Sequence, residues 1–338
     1  MQMFEIVRYT TDRQAEWDAF VRSSRNGTFL IERGYMDYHA HRFTDCSLMF
    51  YREGKLVALL PANWVESEGT VYSHQGLTYG GLIVGNELTS IRVLDIFDVM
   101  KEWMHTALGA ERLVYKPIPY IYSACPSEED LYALFRHGSV LQSRGISSVV
   151  DMNHRIAMRK GRKSTAKQAL LQGITIRESA DLPTFWQILT EVLRDRHHVT
   201  PVHTVEEMQL LQSRFPEQIR LYAAYSADGR MVAGTLIYEM PNLVHAQYIA
   251  SSPEGKESGA LDALYAWLID ERYAHKRYLD FGVSTVQGGS VLNEGLIRQK
   301  EGFGARAIVY DCYEMEIDSQ LFSMGEGVKP IKHGDKNR

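Results

Sequence analysis

The run Gln299-Lys300-Glu301-Gly302-Phe303-Gly304 places one lysine just before a glycine-bounded turn. A lysine is a point charge that can hold a phosphate or polarise a carbonyl. Acting as a neutral base would require a dry pocket, because each unit of lowered pKa costs about 1.4 kcal/mol. The structural alternative is a lysine that satisfies helix C-terminal carbonyls ahead of Gly302. Upstream, Asp280-Phe281-Gly282 closes an apolar run. A carboxylate at a strand end sits where open α/β sheets bind ligands, and it could orient or deprotonate an amine. A turn cap is its alternative. Tyr248 could protonate a leaving group, and His74, in Ser73-His74-Gln75-Gly76, could serve as an acceptor-site base. Together these groups offer a cation, a carboxylate and proton carriers, the parts that general acid–base chemistry needs. The reading therefore places Asp280 and Lys300 at the mouth of one shared pocket.

Other residues have the chemistry to bind. Asn293, Leu296 and Lys300 fall at helical spacing, so one face could present Asn293 with Lys300, and Arg298 lies nearby. Ser284 stands in the loop after Gly282, and Lys116 ends the corresponding strand of the first half. Arg155, Arg159, Lys160, Arg162, Lys163 and Lys167 crowd a stretch with no acid. That stretch could hold the phosphates of a carrier, a nucleotide sugar or a tRNA; a solvated helix start is the bland account. Arg42 could clamp a carboxylate or phosphate, with Asp45 as its structural partner. Tyr72, His74 and Tyr79 sit among Gly76, Gly80 and Gly81, which suggests close backbone approach, with Tyr72 and His74 on one strand face. His245 and Tyr248 share the matching strand of the second half, on opposite faces by alternation. His197, His198 and His203 flank Pro201 without a cysteine or adjacent carboxylate. They point to acceptor contact by His203 rather than to zinc.

These residues hang on a duplicated frame. Residues 46–82 and 219–255 each carry a β-rich run, a short turn with glycine (Gly54, Gly229), a second strand, a polar break and a third strand. Each half continues with an amphipathic helix (90–108; 259–273), a short strand (112–116; 277–281), a further helix (128–137; 292–301) and a closing strand (146–152; 305–317). Each also opens with a strand (4–9; 174–178) and a helix bearing a tryptophan, Trp17 or Trp186.

This order of elements resembles the Gcn5-related N-acetyltransferase (GNAT) fold. Doubled, it is similar to the FemAB-like family of double acetyltransferase-domain proteins, the relatives of the Fem aminoacyl-tRNA-dependent peptidyltransferases. Three segments carry the likeness: residues 26–39 (NGTFLIERGYMDYH), the linker 155–179, and 277–305 (RYLDFGVSTVQGGSVLNEGLIRQKEGFGA). The resemblance implies an α/β (α+β) chain of two tandem GNAT units, each a mixed, mostly antiparallel sheet flanked by helices. The units would span 1–152 and 153–320, with a polar tail over 321–338. It implies that Lys300 contacts the transferred group or its carrier, and that the basic linker binds phosphates. It also implies an acyl- or aminoacyltransferase, with an acyl-CoA, aminoacyl-tRNA or other carrier as donor. The acceptor would be an amine on a small molecule or on a cell-wall or lipid precursor. The sequence departs from acetyl-CoA users at 251–260, where the spacing of Gly255 and Gly259 misses their phosphate-binding loop and Glu254 and Glu257 intrude. That points away from free acetyl-CoA and leaves tRNA or another carrier open. It also motivates the alternative of a non-catalytic ligand-binding protein on a degenerate double fold. Gln299 stands where the family often has an aromatic residue.

Composition bounds the rest. The chain has 338 residues, 45% hydrophobic and 23% charged, with net charge -5, which suits two globular domains and not a general polyanion binder. Three dispersed cysteines suit a reducing compartment, and no long apolar run or signal-peptide core appears. The expectation is a cytoplasmic protein without a bound cofactor or metal. The aromatic run 115–122 (YKPIPYIY) offers a surface for a homodimer.

Overall fold

The computed structural model describes residues 4–197 and 199–317. His198 and the tail expected over 321–338 lie outside the described residues. The first half contains β1 (Glu5–Arg8), α1 (Gln14–Ser23), β2 (Leu48–Arg52), β3 (Lys55–Leu60), β4 (Thr70–Tyr72), α2 (Ser90–Leu108), β5 (Arg112–Tyr115), α3 (Glu129–Arg136) and β6 (Val140–Asp151). The second contains α4 (Lys160–Leu171), β7 (Thr175–Ser179), α5 (Leu182–His197), α6 (Val205–Arg214), β8 (Ile219–Tyr225), β9 (Met231–Glu239), β10 (Leu243–Ser251), α7 (Ala260–Trp267), β11 (Tyr278–Val283), α8 (Glu294–Glu301) and β12 (Arg306–Glu316). The glycine turns form as their type demands: Gly54 and Gly229 take φ of 75° and 81°.

Among the described residues, eleven strands make one sheet that runs through both halves. Its order is β7-β8-β9-β10-β11-β6-β12-β5-β4, followed by the short strands Asn63–Val65 and Thr44–Asp45. β1, β2, β3 and Ile83–Val84 form a separate sheet. The split follows from Pro61, which ends β3 because it has no N–H to donate.

The closing strand of each half pairs with the other half. β6 runs antiparallel to β11, with Val150 opposite Leu279. β12 runs antiparallel to β5, with Glu314 opposite Val114. β6 and β12 also pair with each other, from Val149–Arg306 to Val140–Glu314. A continuous ladder therefore joins the units at the centre of the sheet.

Burial follows the same plan. Phe97, Met100 and Met104 of α2 pack on Leu48, Leu60 and Leu113 in the first unit. Leu264, Leu268 and Ile269 pack on Val232, Val244 and Phe281 in the second. A third core lies between the units, where Trp17, Tyr79 and Tyr122 meet Trp186, Leu236 and Tyr238. No helix among the described residues is long and apolar enough to cross a membrane.

Candidate functional site

The second unit opens a cleft where two neighbouring strands part. β10 and β11 are parallel, but their register pairs are Leu243–Tyr278, Val244–Leu279 and His245–Asp280. Beyond these, β10 stays on β9 as far as Ser251–Ala233, while β11 follows β6 to Val283–Ser147. Gln247 is an extra residue in β10: Ala246 faces Ile237 and Tyr248 faces Leu236. This bulge shifts the alternation by one. Leu243, Tyr248 and Ala250 point into the core between units, while Val244, Ala246 and Ile249 point into the core of the second unit. His245 reaches Tyr122 of the inter-unit core. It therefore lies on the same side as Tyr248, which corrects the opposite-face expectation.

The parting strands border a cavity of about 430 Å³, within the size range of small-molecule pockets. Ala246, Gln247 and Ile249 line it from β10, Phe281 from β11, and Lys300 and Phe303 from the C-terminal segment. α8 positions the lysine. Its N-terminus is capped by the Asn293 side chain, which accepts from the Leu296 N–H at 3.0 Å. Asn293 is thus spent on the helix rather than presented beside Lys300. Lys300 is 4% exposed. Its Nζ donates to the carbonyls of Gly282 at 2.7 Å and Val283 at 2.9 Å. Burial pushes its pKa down to about 8, and the charge of Asp280 pulls it back upward. Gly282 takes φ of 74°, a conformation that glycine adopts without strain.

The shared pocket that the sequence suggests for Asp280 and Lys300 does not form. Asp280 is completely buried and does not line the cavity; Phe281, the next residue on β11, does. Five donors surround its carboxylate. Tyr122 and Tyr310 donate to Oδ2 at 2.7 and 2.6 Å, and His245 Nδ1 lies 2.9 Å from the same oxygen. Ser147 and the Gly282 N–H, at 2.9 Å, donate to Oδ1. Burial opposes ionisation, but His245 and the donors outweigh it and hold this carboxyl well below the usual carboxylate range. An anion so saturated has no free lone pair aimed at an amine. Its link to Lys300 is one residue: the Gly282 N–H binds Asp280 and the Gly282 carbonyl binds Lys300.

The remaining candidates scatter. The Tyr248 hydroxyl meets His203 Nδ1 at 2.7 Å in the core between units, outside the cavity lining. Burial pushes Tyr248 up to about 12 and His203 down to about 4. Arg42 pairs with Glu207 of the second unit, while Asp45 pairs with Arg33 at 2.7 Å. β4 ends at Tyr72, and His74 lies beyond it with φ of 63°, so the two share no strand face. His74 packs against Phe43 and His39, and burial pushes it down to about 3. Tyr79 is core, with its hydroxyl 3.2 Å from Thr28 Oγ1. Lys116 is half-buried, donates to the Leu77 carbonyl and is pushed down to about 8 by desolvation. Ser284 is buried beside Ile146, bonded through its N–H at 2.7 Å. Arg298 pairs with Glu294 on the surface at 2.7 Å. Arg159 and Lys163 are exposed on the linker, whereas Arg162 turns inward to pair with Asp262 and stack on Phe303. Glu254 is paired with Arg230 and faces away from the cleft lining. Sequence reasoning missed Tyr122, Ser147 and Tyr310. The run containing Tyr122 reads as a surface, yet its hydroxyl is buried at the junction of the units.

The first unit has the same parallel pair, β4 and β5, but no matching opening. The chain after β4 stays bonded to β5: Ser73 N–H to the Val114 carbonyl at 2.9 Å, and Gly80 N–H to the Lys116 carbonyl at 3.0 Å. The Leu82 N–H donates to the Tyr115 hydroxyl at 2.5 Å. A Cβ on Gly80 would lie 2.2 Å from the Ser73 carbonyl oxygen, and one on Gly81 2.7 Å from the Tyr115 hydroxyl. These glycines allow chain to meet chain, not ligand.

Comparison with known proteins agrees with this geometry. Residues 152–288 match the acetyltransferase (GNAT) domain family. No curated protein matches the sequence. Among solved structures, FemX superposes with a TM-score of 0.65 at 14% identity, over 94% of this chain and 99% of FemX. The C-terminal domain of a putative lysylphosphatidylglycerol synthetase from Agrobacterium fabrum gives 0.58 at 13% identity, over 92% and 94%. L-PGS from Bacillus licheniformis gives 0.57 at 14% identity, over 91% and 92%. The chain thus shares the fold of FemX and of these synthetase structures, and its residues 152–288 match an acetyltransferase (GNAT) domain.

Proposed function

We propose that the protein is an acyl- or aminoacyltransferase that moves an acyl group from a carrier donor to an amine. The observation that carries this reading is the cavity between the diverging β10 and β11, with the Lys300 ammonium in its wall. Parted strands leave β10 backbone groups beyond His245 without partners on β11. Such N–H groups are suited to a developing oxyanion. Lys300 has three N–H bonds, two of them spent on carbonyls, so one remains to polarise the donor carbonyl. The acceptor class we propose is an amine on a small molecule or on a cell-wall or lipid precursor. The likeness to a putative lysylphosphatidylglycerol synthetase supports an envelope role.

The test is Lys300→Met, which keeps the stem length and removes the charge, together with Lys300→Ala. Transfer of a labelled acyl group should fall at least about 100-fold in both, the scale of losing one oxyanion donor, while circular dichroism stays native. Unchanged turnover would remove Lys300 from the reaction. Thermal stabilisation by amine acceptors alone, with no donor bound, would favour a binding protein.

A further inference from the structure

The walls of the cavity are apolar and its charges are unequal. Val192 and Leu193 of α5 face Leu261 of α7 and Leu296 of α8 across it. The rings of Tyr265, Phe281 and Phe303 form its floor, with centroids 4.8 to 5.5 Å apart. The Tyr265 hydroxyl is spent on Thr235 Oγ1 at 2.9 Å, so this residue offers the cavity its ring. Among the described lining residues the charged ones are Lys256, Lys300 and Asp262. Asp262 is therefore the one carboxylate available to a cationic ligand, and it is already taken. Arg162 of the linker helix α4 pairs with it, and the same guanidinium stacks over Phe303 at 4.6 Å. The pair is mostly shielded, with 24% and 14% side-chain exposure.

We propose that this cavity selects donors with an uncharged acyl group and rejects α-aminoacyl donors, and that Arg162 sets this preference by neutralising Asp262. The inference rests on the transferase reading and names its donor class. An α-aminoacyl group brings an ammonium. In this cavity it would meet the buried Lys300 ammonium and a carboxylate that already has a partner, and a buried charge without a partner is strongly disfavoured. A plain acyl group of the same shape asks only for apolar contact, which the walls supply.

The experiment compares non-transferable thioether analogues of a propionyl and an alanyl thioester on the same pantetheine arm. The two acyl groups differ by one ammonium. Binding to the full chain is measured by calorimetry at about pH 6.5, where an α-amine keeps its proton. The propionyl analogue should bind roughly 10- to 100-fold tighter, the penalty of one unpaired buried polar or charged group. Arg162→Met should narrow that gap by freeing the carboxylate, and Asp262→Asn, which leaves no anion, should not. Equal or tighter binding of the alanyl analogue by the wild-type protein would overturn the inference and leave the transferase reading standing. So would a gap unchanged in a folded Arg162→Met variant. Binding of neither analogue to folded wild-type protein would overturn the inference and leave the transferase reading with a donor on another carrier.

Discussion

The Lys300 ammonium is buried and held by two carbonyls, and burial brings its pKa down to about 8. The sign of the pH effect follows directly. The charged form that polarises a carbonyl is present below about pH 8 and is lost above it. Turnover should therefore decline as pH rises through about 8, and Lys300→Arg should move that decline upward while lowering the maximal rate. A rate that instead rises through pH 8 in the wild-type protein, with that rise lost in Lys300→Met, would assign Lys300 the role of a neutral base. Asp280 tests a different property. Removing a buried charge that satisfies five donors leaves those donors orphaned, so Asp280→Ala should cost about 3–5 kcal/mol in denaturant unfolding. Its folded pKa is depressed, so its contribution is present above the usual carboxylate range and fades as pH falls through the lowered value. A loss under 1 kcal/mol would mean that the network is not holding the junction. That Lys300 lines the cavity agrees with its place in the segment 277–305, which carries the family resemblance. The role of Asp280 was not legible in the sequence, because a strand end looks the same whether its carboxylate faces ligand or a ring of tyrosines from elsewhere in the chain.

At the scale of elements, helical and strand periodicity located nearly every piece. The helix read over 90–108 is α2 to the residue, and the hairpin glycines sit at positive φ. Pairing was another matter. That β6 and β12 cross over to the opposite unit depends on contacts far apart in the chain, and no local pattern encodes them. The bulge at Gln247 was likewise hidden, since one extra residue in an apolar run leaves no mark on composition. The exchange has a consequence for the chain cut at its linker. Residues 153–317 alone would lack β6, exposing the edge of β11 and the inter-unit face of Leu236 and Tyr238. Expressed alone, each half should be insoluble or lack cooperative unfolding, and co-expression should restore a complex that elutes as one species. Two halves that each melt cooperatively by themselves would refute the dependence.

At the scale of the whole molecule, duplication has not given two equivalent sites. The first unit ties the segment after β4 back onto β5 and closes the gap that the second unit leaves open between β10 and β11. Tyr122 and Ser147 of the first unit instead complete the anion network behind Gly282, whose carbonyl seats Lys300. One unit therefore serves as the frame for the cavity, the candidate site, carried by the other. The most direct test is a crystal structure with a non-transferable donor analogue bound. The account predicts its density in the cavity bounded by Ala246, Ile249 and Phe281, with the carbonyl-equivalent atom within hydrogen-bonding reach of Lys300 Nζ. Density in the first unit beside His74, with this cavity empty, would contradict it.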